Sequence, residues 1–386
     1  QRLELLTQCL PTVTLEEVRD IDGESCYVLL IDNRIDDAER LWFIRVSDLL
    51  LVRSETNQAD RQHHVAYSDY RDVNGVLRAF RQDMLMLPLG QEQTLVTTLF
   101  ETGVALEPGL FEPPGESARD FVFANGADRA VVPFRFIENH IFVPVTMNCR
   151  EFLWVLDTGA SAAVIDRAYA EELGLPLSGE LLAQSASDPV EVALTTPPAF
   201  SVGDIEFQEQ QAIALEFTKL FRRVSDLDVA GILGYDFLSR FVTRVDYANE
   251  TLTFYDPGSF EYTSSGTVIG APLTDNLFKV EATVDGVYGG RWMLDLGAGG
   301  TSFNPRYADA NGLDPDDGVL SVGFGAGGRM FRRRSRYETI EFGGYTVENP
   351  EISTGEVDPD APRMPQQGLQ AGTLGNSLFR HFVLYL

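Results

Sequence analysis

Two aspartates occupy corresponding points of an internal repeat. Asp157–Leu175 reads DTGASAAVIDRAYAEELGL and Asp295–Leu313 reads DLGAGGTSFNPRYADANGL, aligned without a gap 138 residues apart. Each aspartate follows an apolar stretch, Phe152-Leu153-Trp154-Val155-Leu156 or Trp292-Met293-Leu294, and each is followed two residues on by a glycine, Gly159 or Gly297. A glycine there removes the Cβ that would hold two such loops apart, so their backbones can approach and their carboxyl groups can face each other. Two carboxyl groups so placed can divide general acid and general base roles, and that chemistry calls for neither a metal nor a cofactor.

The elements that must position them are duplicated as well. Gly231-Ile232-Leu233-Gly234-Tyr235-Asp236-Phe237-Leu238 returns as Gly372-Thr373-Leu374-Gly375-Asn376-Ser377-Leu378-Phe379, 141 residues later. Two motif pairs in the same order at nearly the same offset mark a tandem repeat. Each copy predicts an apolar strand into the aspartate and then a short helix, started by Asp166 or Asn304-Pro305 and ended by Gly174 or Gly312. We place one lobe at 118–260 and the second at 261–386.

Upstream, residues 1–117 form a separate domain. Alternation through Ala66-Tyr67-Ser68-Asp69-Tyr70 and Leu77-Arg78-Ala79-Phe80-Arg81 predicts half-buried antiparallel strands. The strands are expected over Cys26–Ile31, Leu41–Arg53, Val65–Arg71, Leu77–Leu87 and Thr94–Glu101, with a hairpin turn at Asn74-Gly75 and a linker at Pro113–Ser117. The fold class is therefore mainly β: an antiparallel sheet followed by two tandem β lobes related by a pseudo-twofold axis.

An apolar strand ending in Asp157-Thr158-Gly159-Ala160-Ser161, with Gly231-Ile232-Leu233-Gly234 about 75 residues later, resembles the retropepsin-like aspartic proteases over roughly residues 130–386. The resemblance implies a catalytic dyad of Asp157 and Asp295 that shares one proton and titrates as a unit. The ionised member takes a proton from water while the protonated member donates to a scissile carbonyl. It also implies that Gly159, Ala160, Ser161, Gly297 and Ala298 shape the two active loops, and that the Thr158 hydroxyl ties them together. The residue matching Thr158 is Leu296, which has no hydroxyl, so half of that brace is expected to be missing.

The run Tyr67–Val76, ending in Leu110-Phe111-Glu112-Pro113-Pro114, resembles the later strands of the LolA/LolB-like lipoprotein carriers over about residues 25–114. That resemblance implies a bacterial protein that is periplasmic or otherwise exported, and either a front part preceding Gln1 or a reduced half-barrel. The second lobe stops just before the position matching Asp246, so a further strand is expected after Leu386.

A closing lid would exclude water from such a cleft. Gly323-Phe324-Gly325-Ala326-Gly327-Gly328 suits a glycine-rich flap, an ordinary surface turn being the alternative; the matching stretch 180–198 lacks glycines, which predicts one flap rather than two. Arg332-Arg333-Arg334-Ser335-Arg336 either contacts an acidic substrate segment or is a solvated strand edge. The four histidines, His63, His64, His140 and His381, form no metal-binding motif, and His63-His64 is expected in a solvated loop. Ser161 is not in a nucleophile elbow. Cys9, Cys26 and Cys149 leave open a Cys9–Cys26 bridge or three free thiols.

Composition narrows the partners. The 386 residues carry 30 Lys+Arg against 58 Asp+Glu, a net charge of −28, which argues against nucleic acid. No apolar run is long enough to span a bilayer. The expected partner is a peptide or protein substrate, bound in extended form, with no dimer needed because both aspartates lie in one chain. Two functions remain: an aspartic endopeptidase, or a catalytically silent relative that binds peptides or handles lipids or lipoproteins.

Overall fold

A computed structural model describes residues 11–32, 38–58, 61–105, 110–111, 119–183, 185, 189–217, 221–222, 227–314, 317–325, 328–356 and 369–386. The described residues of Gln1–Gly115 form one compact unit, and those of Glu116–Val357 and Gln370–Leu386 form another. The linker expected at Pro113–Ser117, and Cys9, lie outside the described residues.

The first unit is a seven-stranded antiparallel meander in sequence order: Thr12–Ile21, Glu24–Asp32, Glu39–Arg45, Leu51–Asn57, Gln62–Val73, Val76–Leu87 and Gln91–Val96. Asn74 (φ 53°) and Gly75 (φ 83°) make the two-residue turn that sets Val73 opposite Val76. The single strand expected over Leu41–Arg53 is instead two strands. Leu49 adopts φ 62°, and the Asp48 carboxylate accepts the Leu50 amide (3.2 Å) and Arg45 Nε (3.0 Å), so a local turn outcompetes extension. The last strand begins and ends earlier than expected, and Thr12–Ile21 was not singled out from sequence.

His63 and His64 sit in a strand, not a loop. His64 Nδ1 lies 3.2 Å from Arg53 Nη2, and burial holds its pKa below the usual imidazole range. Cys26 is a free, buried thiol packed with Val28 and Phe43, so it joins no bridge; Cys149 is free and exposed.

In the second unit the repeat becomes a repeated topology. The strand carrying the second motif, Val229–Leu233, lies between the strand before Asp157 (Arg150–Leu156, parallel) and the strand after it (Val164–Asp166, antiparallel). Gly372–Leu374 lies in the same way between Tyr288–Leu294 and Thr301–Phe303. The helices follow where the caps predict them. The Asp166 carboxylate accepts the Ala168 amide (3.0 Å) ahead of Arg167–Glu172, and Asn304 Oδ1 accepts the Arg306 amide (2.9 Å) ahead of Pro305–Ala310. The lobes are also joined through backbone: Val383–Tyr385 of the second pairs with Val242–Asp246 of the first.

Each repeat carries a hairpin beyond this core. Ser178–Ala183 pairs with Val190–Thr195, and Val319–Gly325 pairs with Gly328–Arg336. A hairpin is therefore present in both repeats. Strand pairing builds it in the first lobe without a glycine-rich tip.

Candidate active site

Asp157 and Asp295 each stand one residue beyond the end of their strand. The Asp157 amide donates to the Leu233 carbonyl and the Asp295 amide to the Leu374 carbonyl, both at 3.0 Å, so the second motif of each repeat holds its own aspartate in place. Asp157 Oδ1 accepts the Gly159 amide (2.7 Å), while Asp295 Oδ1 accepts those of Gly297 (2.8 Å) and Ala298 (3.0 Å). The two carboxyl groups are close enough to shift each other's titration.

The glycines permit this meeting. A Cβ on Gly159 would lie 2.6 Å from Asp295 Cγ, and one on Gly297 would press still closer on the Asp157 carboxyl. Each loop thus packs its bare backbone against the opposite carboxyl group. Ala160 and Ala298 continue the loops, their carbonyls accepting the amides of Tyr235 and Asn376 (2.8 Å each). Ser161 is exposed and marks the outer end of the first loop.

Burial raises both acids above the usual carboxylate range. Asp295 is pushed furthest, first by desolvation and then by the neighbouring Asp157 charge and hydrogen bond. For Asp157, desolvation is opposed by the hydrogen bond from Asp295 and by the Gly159 and Ala160 amides. The two acids are coupled and titrate as a pair, with Asp295 raised the further. Solvent still reaches part of both residues.

Beneath the pair, the buried Thr158 hydroxyl donates to the Leu294 carbonyl (2.8 Å) and accepts the Leu296 amide (2.9 Å). Leu296 is fully buried and offers no hydroxyl in return. A residue that sequence reasoning passed over takes up the other loop. Asn376 Nδ2 donates to the Leu296 carbonyl (2.6 Å) and to the Asn139 carbonyl (2.8 Å), while its Oδ1 accepts the Tyr247 hydroxyl (2.7 Å). With both donors and the acceptor engaged, this buried amide ties the second active loop to the first lobe.

His140 was also passed over, because no metal or nucleophile motif includes it. A Cβ on Gly299 would lie 3.0 Å from His140 Cε1, which places the ring against the second active loop, with Phe221 edge-on at 5.9 Å. Burial pushes its pKa down, against the opposite pull of the Glu138 carbonyl and the Asp157 charge.

Of the flap residues, Gly323, Phe324 and Gly325 end one strand of a hairpin and Gly328 opens the other, with Gly325 opposite Gly328; Ala326 and Gly327 lie outside the described residues. Among the described residues, no group of three His, Cys, Asp or Glu side chains is placed to hold a metal ion. No helix among them is long and apolar enough to cross a membrane.

A family model for aspartyl proteases matches residues 143–237 and 280–378, together half of the chain. The chain belongs to the aspartyl protease family. The two matched regions cover the two repeats, and each contains one aspartate of the pair. Among solved structures, this aspartyl protease family member is similar to a retropepsin-like aspartic protease from Rickettsia conorii, at 22% identity over 33% of this chain and 99% of that one (TM-score 0.25). It is similar to Basic 7S globulin from soybean at 10% identity, over 64% of this chain and 89% of that one (TM-score 0.38). It is also similar to an outer membrane lipoprotein-sorting protein domain from Vibrio parahaemolyticus, at 14% identity over 25% of this chain (TM-score 0.22), spanning 44% of that chain's length. No curated protein matches the chain.

Proposed function

We propose that this protein is an aspartic endopeptidase that hydrolyses peptide bonds with a water activated between Asp157 and Asp295. The observation that carries the reading is the contact itself: each half-buried carboxyl group lies against the glycine of the opposite active loop, so the two acids meet at the junction of the repeats. Asp157 then takes a proton from the water as its oxygen attacks the peptide carbon. Asp295 gives its proton to the carbonyl oxygen, so the negative charge that would develop there is neutralised as it forms. Collapse of the tetrahedral intermediate returns a proton to the departing amine and restores the shared-proton state.

The substrate lies extended across the pair, hydrogen-bonded like an added strand, beneath the hairpin that carries Gly323–Gly328. One chain supplies both aspartates, so dimerisation is not required. The silent-relative reading rested on Leu296 and on the carrier-like strands of the first unit; the bonds that Thr158 and Asn376 make to the Leu296 backbone supply the bracing that Leu296 called into question. An exported, periplasmic location completes the proposal.

The test is cleavage of an unstructured protein across acidic and neutral pH. Asp157→Asn and Asp295→Asn are each expected to lower kcat by about 10²-fold to 10⁴-fold or more. Activity surviving either change at the wild-type level removes the dyad.

A further inference from the structure

The two lobes share a topology and differ in the chemistry of the sheet face that carries the dyad. Side chains two residues apart on a strand share a face, so Val155 lies on the Asp157 side and Met293 on the Asp295 side. Strand register extends each face. In the first lobe, Val155 stands beside Ile232, Ile232 beside Val164, Val164 beside Ile213 and Ile213 beside Leu194. In the second, Met293 stands beside Thr373, then Ser302, Ser353 and Arg334. Aliphatic positions have become hydroxyls, and Leu194 has become Arg334.

Two residues along the hairpin strand from Leu194 and Arg334 are Val192 and Arg332. Val192 is buried in a cluster with Phe142, Leu215, Phe217 and Phe221, which fills the first lobe's face. Arg332 instead extends its stem over Gly355, at the position of Leu215, with its Cγ 3.8 Å from where a Cβ on Gly355 would sit. The position matching Phe142 is Lys279, one of two lysines in the chain, whose ammonium donates to Gln370.

The other arginines of the basic run are engaged. Arg334 and Arg336 pair with Glu351, and Arg333 Nη1 donates to the Gly318 carbonyl (3.4 Å). Nor is this strand a solvated edge, since it is hydrogen-bonded on both sides, to Val319–Gly325 and to Glu351–Gly355. Among the described residues, no carboxylate pairs with Arg332. Its Nη1 is buried without a hydrogen-bond partner among the described residues, and Nη2 meets the Met330 sulfur at 3.6 Å. Desolvation lowers its pKa, yet arginine starts so high that it remains a cation. A desolvated, unpaired guanidinium is costly, and a planar fork of N–H donors matches a carboxylate.

From this we infer that Arg332 forms a cationic subsite in the second lobe that selects an acidic side chain, Glu or Asp, on one side of the scissile bond. It rests on the peptidase reading and adds the substrate class. The first lobe's matching position is apolar and filled, so the preference is confined to one side.

The test uses peptides of one length and sequence in which a single residue near the scissile bond is Glu, Gln or Leu. Wild-type protein is expected to cleave the Glu peptide with a kcat/KM at least about tenfold above the Gln peptide at one position only. Arg332→Gln should abolish that ratio and Arg332→Lys should retain part of it. Equal kcat/KM for the three peptides at every position overturns the subsite while leaving the peptidase intact. If no peptide is cut, the peptidase reading fails, and calorimetric titration of the intact protein with the same peptides still decides the subsite. Tighter binding of the Glu peptide, lost in Arg332→Gln, supports it; equal binding overturns it. Arg332→Val, which installs the first lobe's residue, supplies a second readout. A raised Tm marks a cation kept for a ligand, whereas a lowered Tm marks a structural arginine and overturns the proposal.

Discussion

Gly159 and Asp295, from different lobes, are in contact: the space a Cβ on Gly159 would need is occupied 2.6 Å away by the Asp295 carboxyl carbon. Gly297 stands to Asp157 in the same way. Gly159→Ala is therefore expected to force the active loops apart. Overpacking of this kind costs about 1–3 kcal/mol and moves the carboxyl groups apart. Chemical denaturation together with peptide cleavage checks this, and a fully active, equally stable variant refutes it.

The dyad also sets a pH dependence of stability. Asp295 binds its proton more tightly in the folded state than in the unfolded chain, so its favourable contribution is complete below the ordinary aspartate pKa of 3.8 and is lost as pH rises through the folded value. Asp295→Asn removes the cost of ionising the pair. Its Tm should exceed that of the wild type at neutral pH and converge with it below about pH 4. Thermal melts across pH 3–8 measure the difference, and a neutral-pH Tm below that of the wild type would contradict it.

Asn376 carries the brace on the second loop. Asn376→Ala strands the Leu296 and Asn139 carbonyls and the Tyr247 hydroxyl in a buried setting. Lost hydrogen bonds and unsatisfied groups together should cost about 2–4 kcal/mol. Thr158→Val, which removes two hydrogen bonds, should cost about 1–3 kcal/mol. Urea midpoints at constant m-value report both, and a loss in either variant under about 0.5 kcal/mol would show that the bond network is dispensable.

His140 acts on the dyad through charge. Its positive form lowers the pKa of Asp157, so His140→Phe should raise it. The acid limb of the kcat/KM profile, where Asp157 must be ionised, should move to higher pH while the alkaline limb, set by loss of the Asp295 proton, stays. An unmoved acid limb would leave His140 with a packing role alone.

What was legible in the chain was local or repeated. The Asp-x-Gly loops, the second motif, the Asp166 and Asn304 caps and the Asn74-Gly75 turn each carry their geometry within a few residues, and duplication tied the two halves together. The reading of Leu41–Arg53 as one strand failed because periodicity does not register a turn made by Asp48 with its own neighbours. The sequence by itself determined that there are two matched aspartates on glycine-bearing loops, in a mainly β chain of strong negative charge. Only the tertiary structure decided that Asn376 takes up the second active loop, that His140 borders the pair, and that among the described residues Arg332 meets no carboxylate while Arg334 and Arg336 have Glu351. The physical reason is that hydrogen-bond satisfaction depends on strand register and on which lobe a loop meets. Those partners lie up to 237 residues apart in sequence, as Asn139 and Asn376 do.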